Sequence, residues 1–487
     1  MKKFIISIAA LALLVSCTDL EDRLYDRLPE DMYPENETQG ALLTVPVYSP
    51  LRELVDWGGW WFAQELTSDE MVCPTRLTDW DDGGKWRVLH THTWTNTTEA
   101  VASMWSRFYR GVVEANQLIE RLSPNESDPA TATTLAKVKI MRAYYYYLLI
   151  DNYGDVPYVT TFKDAPEFPE KESRAVVFQN IITEIEQSIP HLTSSSTKTA
   201  VSKGMAFSLL AKLYLNAQVY TGTEQWEKAE IACDSVMKLG YSLEGDPLAP
   251  FVTKNENSNE NIFTIPFDED SYTGLNLHMR TLHYMSNRTY DMSVGPWNGF
   301  AVTESHYNSY SDDDLRKAGF LVGQQYASSG EALVENGVPV VFTPSIPKLV
   351  MDASYTPAEI RMSGVRVAKF EIKRGAKENL SNDFPIFRYA DVLLMKAEAM
   401  IRQGKNGDTY VNMVRKRAGL NDWSNTTLDQ ILEERGREMF WEAHRRQDLI
   451  RFGKFNNAWW EKDASTPDRK IFPIPQSEID ANPNLAK

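Results

Sequence analysis

The sequence predicts a mostly α-helical protein in which helical hairpins form a scaffold that carries long irregular loop insertions and a few short strands. Apolar residues recur at helical spacing before residue 240 and again after residue 384, as expected of helices with one buried face. Between these regions the chain is rich in Gly, Pro, Asn, Ser and Asp. Of the 487 residues, 43% are hydrophobic and 24% are charged. This composition is typical of a folded globular protein.

Eight segments show the helical periodicity, at residues 100–122, 132–151, 174–189, 200–218, 224–239, 384–403, 408–418 and 427–452. The fourth and fifth segments surround Thr221-Gly222-Thr223 and resemble a tetratricopeptide-type hairpin. Such a hairpin buries its apolar face only by stacking on its neighbours. We therefore expect a single domain over residues 41–487, with a tetratricopeptide-like helical scaffold at about 100–240 and 384–455.

Two helix-poor insertions interrupt this scaffold, at about 57–98 and about 240–383. Long irregular segments are uncommon inside a compact domain unless they serve function. Binding residues also concentrate on loops that a rigid scaffold holds in place. The insertions are therefore the predicted ligand-binding regions. Within the longer one, three short runs are typical of strands, at Ile262–Pro266, Val338–Phe342 and Val365–Ile372.

The N-terminus predicts export and lipid attachment. Lys2-Lys3 precedes an apolar run from Phe4 to Val15. As a helix this run covers roughly 18 Å, too short for a bilayer core of about 30 Å, so it is predicted to be a signal sequence. Leu14-Val15-Ser16-Cys17 resembles a lipobox, which predicts a signal peptide at 1–16 and acylation of Cys17. The alternative is an ordinary signal peptide that contains a cysteine.

Residues 17–40 are rich in Asp and Glu and are predicted to form a solvated acidic tether. Acidic residues soon after the lipidated cysteine also resemble the surface-export signal of some Gram-negative lipoproteins. The formal net charge of −16 argues against nucleic-acid binding, which needs a basic face. Cys73 and Cys233 remain after lipidation and are expected to be free thiols.

The late helices carry the most characteristic motif. Residues 433–451 place five acidic residues among five arginines, and pairs such as Asp448 with Arg451 sit one helical turn apart. A catalytic function would need a cleft and a nucleophile, and the sequence shows neither. We therefore expect these charges to form salt bridges that support the fold.

This motif closely resembles the closing helices of the SusD/RagB family of outer-membrane nutrient-binding lipoproteins. Four further segments resemble the same family in the same order: Ala143–Pro157, Phe384–Ala399, Val414–Gly419 and Phe472–Pro475. The resemblance implies a tetratricopeptide-like α fold, an outer-membrane location on the cell surface through the lipid anchor, and no catalysis or cofactor. It also implies that the protein captures an oligosaccharide and delivers it to a TonB-dependent transporter of the SusC type.

In that family, loops from these two regions form the ligand site. Aromatic rings cover the C–H faces of sugars, while Asp, Asn, Gln and Arg bond their hydroxyls. The sequence has 13 Trp and 22 Tyr, and several of these stand beside polar residues in the insertions. The predicted ligand-binding residues are Asp69, Trp80, Asp81, Trp86, Tyr290, Trp297, Asn298 and Arg361, with Trp57 a weaker candidate. The alternative is that such tryptophans belong to the core or face the transporter.

Three other groups of residues in the sequence are disfavoured as sites. His90 and His92 would share one side of a strand and could bind zinc, but they lack a third ligand nearby. Asp81-Asp82, or Glu65 with Asp69, could act as glycosidase carboxylates, but no strand–helix alternation supplies a barrel. Asp312-Asp313-Asp314 lacks the spacing of a calcium loop. We therefore expect no metal site.

Rival functions remain open from the sequence. A minority of the family takes peptides, so a peptide-binding relative is one alternative. A helical-repeat adaptor that binds only its transporter is another, and a surface glycosidase is the least favoured. The sequence names neither the glycan nor its linkage.

Overall fold

The computed structural model describes residues 33–193 and 197–486. The predicted signal peptide, Cys17 and most of the predicted acidic tether lie outside the described residues. The predicted fold class is confirmed, because helices dominate and the strands are short. No helix among the described residues is long and apolar enough to cross a membrane.

The helices are α1 (Glu37–Arg52), α2 (Trp60–Leu66), α3 (Arg87–His90), α4 (Glu99–Leu122), α5 (Pro129–Tyr153), α6 (Arg174–Ser188), α7 (Lys203–Leu215), α8 (Ala217–Thr221), α9 (Trp226–Met237), α10 (Leu277–Thr281), α11 (Ser286–Tyr290), α12 (Glu304–Asn308), α13 (Pro357–Met362), α14 (Tyr389–Arg402), α15 (Asp408–Arg417), α16 (Leu428–Met439), α17 (Arg445–Arg451) and α18 (Gln476–Ala481). The long members lie where the apolar periodicity predicts them. Helix α1 was not predicted, and its first turn takes up the last residues of the predicted tether.

The strands are β1 (Met71–Val72), β2 (Thr75–Arg76), β3 (Val156–Pro157), β4 (Lys171–Glu172), β5 (Asn261–Ile265), β6 (Ala301–Val302), β7 (Phe320–Leu321), β8 (Gly323–Gln324), β9 (Val334–Glu335), β10 (Val338–Pro339), β11 (Val341–Phe342), β12 (Val350–Met351), β13 (Arg366–Val367) and β14 (Phe384–Arg388). They form two-stranded pairs. The β1–β6 and β2–β12 pairs join the first insertion to the second.

The scaffold is a series of packed helix pairs: α4 with α5, α5 with α6, α7 with α9, and α9 with α14. Helix α5 is central and is buried almost all round, including Tyr144, Tyr145 and Tyr146. Gly111 on α4 gives the Tyr145 ring its space, because a Cβ there would lie 2.3 Å from that ring. The Tyr145 hydroxyl in turn donates to the carbonyl of Val47 on α1.

Two predicted helices are wrong in part. The segment predicted as helix from residue 384 begins as strand β14, which pairs antiparallel with β5. Pro385 explains the difference, because the residue before a proline is driven away from helical backbone angles. The segment predicted as one helix over 427–452 is broken between α16 and α17, where Trp441 and Ala443 have positive φ of 69° and 64°.

The structure also bears on the predicted strands, the His90–His92 pair and the cysteines. The predicted strand at Val365–Ile372 is limited to β13, and the run at Val338–Phe342 is split into β10 and β11. His90 and His92 do not share a strand, because His90 ends α3 and His92 has a positive φ of 56°. The two described cysteines are free and buried, as predicted.

A network of buried ion pairs joins the second insertion to α16. Arg388 contacts the carboxylates of Glu260, Glu438 and Glu442 at 2.8, 2.5 and 2.6 Å. All four side chains are at most 1% exposed. Burial opposes ionisation of Glu438, but the guanidinium groups of Arg417 and Arg388 hold its pKa well below the ordinary value. The predicted Asp448–Arg451 pair is also present, at 2.7 Å.

We expect Arg388→Met to lower the free energy of unfolding by about 3–5 kcal/mol, because it leaves three buried carboxylates without their shared cation. Asp312→Ala is the control, since it removes an ion pair to Lys317 in which the aspartate is 99% exposed. Denaturant unfolding should show no measurable change for the control. An unchanged midpoint for Arg388→Met would contradict a structural role for the network.

Candidate functional site

The two insertions meet at four tryptophans, which we call the tryptophan cluster: Trp57, Trp80, Trp86 and Trp297. The Trp57 ring centroid lies 5.8 Å from Trp80, 5.1 Å from Trp86 and 6.1 Å from Trp297. The Trp57–Trp86 and Trp57–Trp297 contacts are edge-to-face, a geometry that aromatic pairs favour. Residues from both predicted binding regions thus come together.

Hydrogen bonds fix the cluster from within. The indole N–H of Trp80 donates to the carbonyl of Trp297 at 2.7 Å. The indole N–H of Trp86 donates to the carboxylate of Asp82 at 2.7 Å. Gly299 allows the close approach of the second insertion, because a Cβ there would lie 2.3 Å from the Trp80 ring. The β1–β6 pair holds the two insertions together immediately beyond this point.

The backbone around the cluster is strained. Leu77, Trp80, Asp82 and Asn298 have φ of 61°, 58°, 40° and 54°, in the left-handed region that side chains other than glycine rarely adopt. Such residues persist only where the surroundings enforce them, and they concentrate at functional sites. The residues with strained backbone therefore lie in and directly beside the tryptophan cluster.

The predicted ligand-binding residues differ in exposure. Trp86 is 2% exposed and Trp80 is 7% exposed, so these rings are mostly covered by their neighbours. Asn298 is fully buried, and its amide binds the carbonyl of Arg361 and the guanidinium of Arg366. The expectation that Trp86 and Asn298 touch a ligand does not fit this burial. Trp57 and Trp297 are only half-buried.

A polar rim borders the cluster and consists of Asp79, Tyr284, Glu335 and Arg361. The Tyr284 hydroxyl donates to the Asp79 carboxylate, and the Arg361 guanidinium lies 4.4 Å from the Tyr284 ring. Glu335 accepts two hydrogen bonds from Arg361, at 2.5 and 2.6 Å. Partial burial raises the pKa of Asp79. Charged and hydroxyl groups therefore stand beside the half-buried rings.

Lys85 adds a cation to the edge of the cluster. Its ammonium nitrogen lies 5.2 Å from the Trp57 ring and 4.7 Å from the Trp86 ring. It also pairs with Glu99 at 3.0 Å.

Two residues of the polar rim, Tyr284 and Glu335, were not predicted from the sequence, because neither stands beside an aromatic or charged run.

The two predicted aspartates are engaged in ion pairs. Asp69 accepts from the Arg445 guanidinium at 2.7 and 2.9 Å. Burial raises the pKa of Asp69, but Arg445 more than offsets this, so its pKa is lowered overall. Asp81 is more exposed and accepts from Arg87 at 2.7 Å, a hydrogen bond that lowers its pKa. Asp69 therefore anchors the first insertion to α17.

Tyr290 lies at the end of α11 and packs against the main core. Burial raises the pKa of its hydroxyl to about 12. In the described part of the chain it makes no ring contact with the tryptophan cluster. Arg361, by contrast, lies in the rim beside the cluster.

The residues of the disfavoured zinc and calcium sites bond other protein groups instead. The ring N–H of His90 bonds the carbonyl of Trp460 at 2.8 Å, and that of His92 bonds the carbonyl of Thr67 at 2.9 Å. Burial lowers the pKa of both rings. Asp314 binds Arg316 at 2.8 Å. No group of three or more His, Cys, Asp or Glu residues within the described ranges could hold a metal ion.

The described chain is thus a helical-hairpin scaffold that carries two long loops, with an aromatic cluster where the loops meet. Two family models match the chain. The model of the SusD family matches residues 356–487. A model described as starch-binding and associating with the outer membrane matches residues 63–215.

Similar proteins agree with these models. The starch-binding protein SusD of Bacteroides thetaiotaomicron is 24% identical, over 87% of this chain and 83% of its own length. A laminarin-binding SusD-like protein superposes with a TM-score of 0.75 at 22% identity, covering 92% of this chain and 98% of its own. Surface glycan-binding protein A of Bacteroides thetaiotaomicron, in complex with laminarihexaose, superposes with a TM-score of 0.72, at 22% identity and the same coverage of both chains. Residues 356–487 thus match the SusD family, and the chain is similar to SusD-like proteins over most of its length.

We expect Gly299→Ala to displace the Trp80 indole, because the added methyl would overlap that ring. Overpacking of this kind costs about 1–3 kcal/mol. Near-ultraviolet circular dichroism and thermal unfolding should both change. Gly295→Ala is the matched control, since a Cβ there would make only an ordinary 3.8 Å contact with the Tyr284 carbonyl oxygen. Equal behaviour of the two variants would contradict the close packing at Gly299.

Proposed function

We propose that the protein captures oligosaccharides at the cell surface through the half-buried rings of the tryptophan cluster and the polar rim. The observation that carries the proposal is the meeting of Trp57 and Trp297, one from each insertion, at 6.1 Å. Sugars present apolar C–H faces to aromatic rings and hydroxyls to polar groups. The cluster and the rim supply both chemistries side by side.

The names of similar proteins support a glycan as the ligand. Relatives in sequence and in structure are named for starch, laminarin and laminarihexaose. A peptide ligand is the alternative within the same family. A peptide would gain most from unpaired strand edges or charged pockets. The site instead offers half-buried indole rings beside a rim whose Arg361 and Glu335 are paired with each other. These features favour a sugar.

The state of the carboxylates supports a non-catalytic role. A glycosidase needs two carboxyl groups that flank the scissile bond, one of them available as a general acid. Asp69 is held by two hydrogen bonds from Arg445, and Asp81 is paired with Arg87. Glu65 is buried in the core and accepts from the backbone N–H of Ala443 at 2.6 Å. The residues considered for hydrolysis therefore have structural partners.

Membrane attachment and transport complete the proposal. The lipobox-like sequence at Cys17 would place the protein on the outer membrane through acyl chains, which stabilise insertion by about 0.8 kcal/mol per buried CH₂. A SusC-type TonB-dependent transporter would then receive the captured glycan. The family resemblance and the outer-membrane description of the matching model support this arrangement.

We expect Trp57→Ala and Trp297→Ala each to weaken binding of the cognate oligosaccharide about tenfold or more, which corresponds to about 1.4 kcal/mol. Each variant removes a ring face that would stack on the sugar. Isothermal titration calorimetry against laminarihexaose, maltooligosaccharides and a peptide digest measures the effect and separates the two ligand classes.

Phe168→Ala serves as the control, because this ring is 47% exposed and lies outside both insertions. The control should bind as the unaltered protein does. Heat release with the peptide digest alone would favour the peptide alternative. Undiminished glycan binding by the Trp57→Ala, Trp297→Ala double variant would place the ligand elsewhere and overturn the site.

We expect Cys17→Ser to release the protein from the membrane fraction, because the variant has no thiol to acylate. Palmitate labelling and detergent phase partitioning of whole cells measure this. Ser16→Ala is the control, since it keeps a small residue before the cysteine and should remain labelled. Labelled Cys17→Ser protein would contradict lipid attachment at this residue.

A further inference from the structure

A second aromatic pocket lies apart from the tryptophan cluster, between α12 and a turn near the C-terminus. Its volume is about 290 Å³, and it is lined by Thr303, Glu304, Ser305, Asn308, Ile346 and Trp460. It thus combines one half-buried indole, one aliphatic side chain and four groups that form hydrogen bonds. None of these residues belongs to a motif that stands out in the sequence.

The indole of this pocket is held in a fixed position. Trp460 lies in a turn closed by two backbone hydrogen bonds between Trp459 and Lys462, at 3.1 and 3.0 Å. The ring N–H of His90 donates to the Trp460 carbonyl at 2.8 Å, and the two rings lie 5.8 Å apart. Glu461 has a positive φ of 54°, so the turn directs Trp460 at the expense of backbone strain.

Below the turn, Lys462 is 4% exposed. Its ammonium group donates to the carbonyls of Asn457 and Asp463 at 2.8 and 3.0 Å, and lies 3.9 Å from the Trp459 ring. Trp460 itself packs on a small core that includes Ile346. A side chain presented in this way loses little conformational entropy when it meets a ligand.

The opposite wall of the pocket is polar and available. Helix α12 is fixed at its start by Thr303, whose hydroxyl donates to the Asp69 carbonyl at 2.7 Å. Glu304, Ser305 and Asn308 are exposed. The side chains of Glu304 and Asn308 form no hydrogen bond or ion pair with any other residue that the structure describes. A carboxylate and an amide therefore face a flat indole with their bonding capacity unused.

We propose that this pocket is a second glycan subsite, in which Trp460 stacks on a sugar ring while Glu304 and Asn308 bond its hydroxyls. The proposal rests on the proposed function, since it assigns the same ligand class to a second place. These groups suit a neutral sugar. The Trp460 ring face matches the C–H groups of the sugar, and the Glu304 carboxylate and Asn308 amide match its hydroxyls.

Helix α3 connects the pocket to the tryptophan cluster. Trp86 of the cluster directly precedes α3, and His90 at the end of α3 bonds the carbonyl of Trp460. Two separate sites on one protein bind different stretches of a long polymer at high effective concentration. The second subsite should therefore matter for polysaccharides and not for short oligosaccharides.

Affinity gel electrophoresis tests this with the full mature chain. Gels are cast with laminarin, amylopectin, xylan or yeast mannan, and the same variants are titrated with the matching hexasaccharide. Trp460→Ala should weaken polysaccharide retention about tenfold through loss of the second contact, with hexasaccharide affinity unchanged. Asn308→Ala, an exposed change that leaves the turn intact, should weaken retention in the same direction. Tyr272→Ala is the control, since that ring is 55% exposed outside both sites.

The outcomes separate the two proposals. If Trp460→Ala and Asn308→Ala are both retained as strongly as the unaltered protein on every polymer that retains it, the second subsite is wrong while glycan capture stands. If Trp460→Ala also loses the hexasaccharide, Trp460 belongs to the main site and the second subsite is wrong. If no polymer retains the unaltered protein, glycan capture fails and the subsite fails with it.

Discussion

The fold depends on charges that are buried together. Arg388, at the end of β14, binds Glu260 directly before β5, Glu438 of α16 and Glu442 in the break that follows α16. Arg316 of the second insertion binds Glu434 and Glu438 of α16 at 2.7 and 3.0 Å. Removing one partner of such a pair leaves an uncompensated charge in the core. The insertion is therefore held on the scaffold in a single arrangement.

The same part of the chain also holds the first insertion, and the break between α16 and α17 makes this possible. At the break, the carbonyl of Trp441 accepts from the Trp61 indole at 3.3 Å, and the N–H of Ala443 donates to Glu65. Arg445, the first residue of α17, then binds Asp69. A continuous helix would point these groups elsewhere. Both insertions are thus bound to one short segment, which consists of α16, the break and the start of α17. These contacts fix where the tryptophans of the two insertions meet.

The sequence predicts the scaffold well and the site less well, for physical reasons. Helices α4 and α6 begin and end within one residue of the predicted bounds, because their stop signals and apolar periodicity are local. Strand β14 and the break after Met439 depend on partners far away in the chain, which periodicity does not report. The sequence predicts the tryptophans of the cluster as candidates but does not predict their exposure. Trp86 and Asn298 are buried, since burial is decided by packing between the two insertions.

The contacts that anchor the first insertion join residues far apart in the sequence. Asp69 and Arg445 are 376 residues apart, and Trp61 and Trp441 are 380 apart. The helix pairs α4–α5 and α7–α9 make contacts over short loops and have little closure entropy to overcome, whereas the anchors must close almost the whole chain. The anchors of the first insertion can therefore form only when the break after α16 and helix α17 are present. A chain truncated before α16 would lack the contacts that hold Trp61 and Asp69 in place.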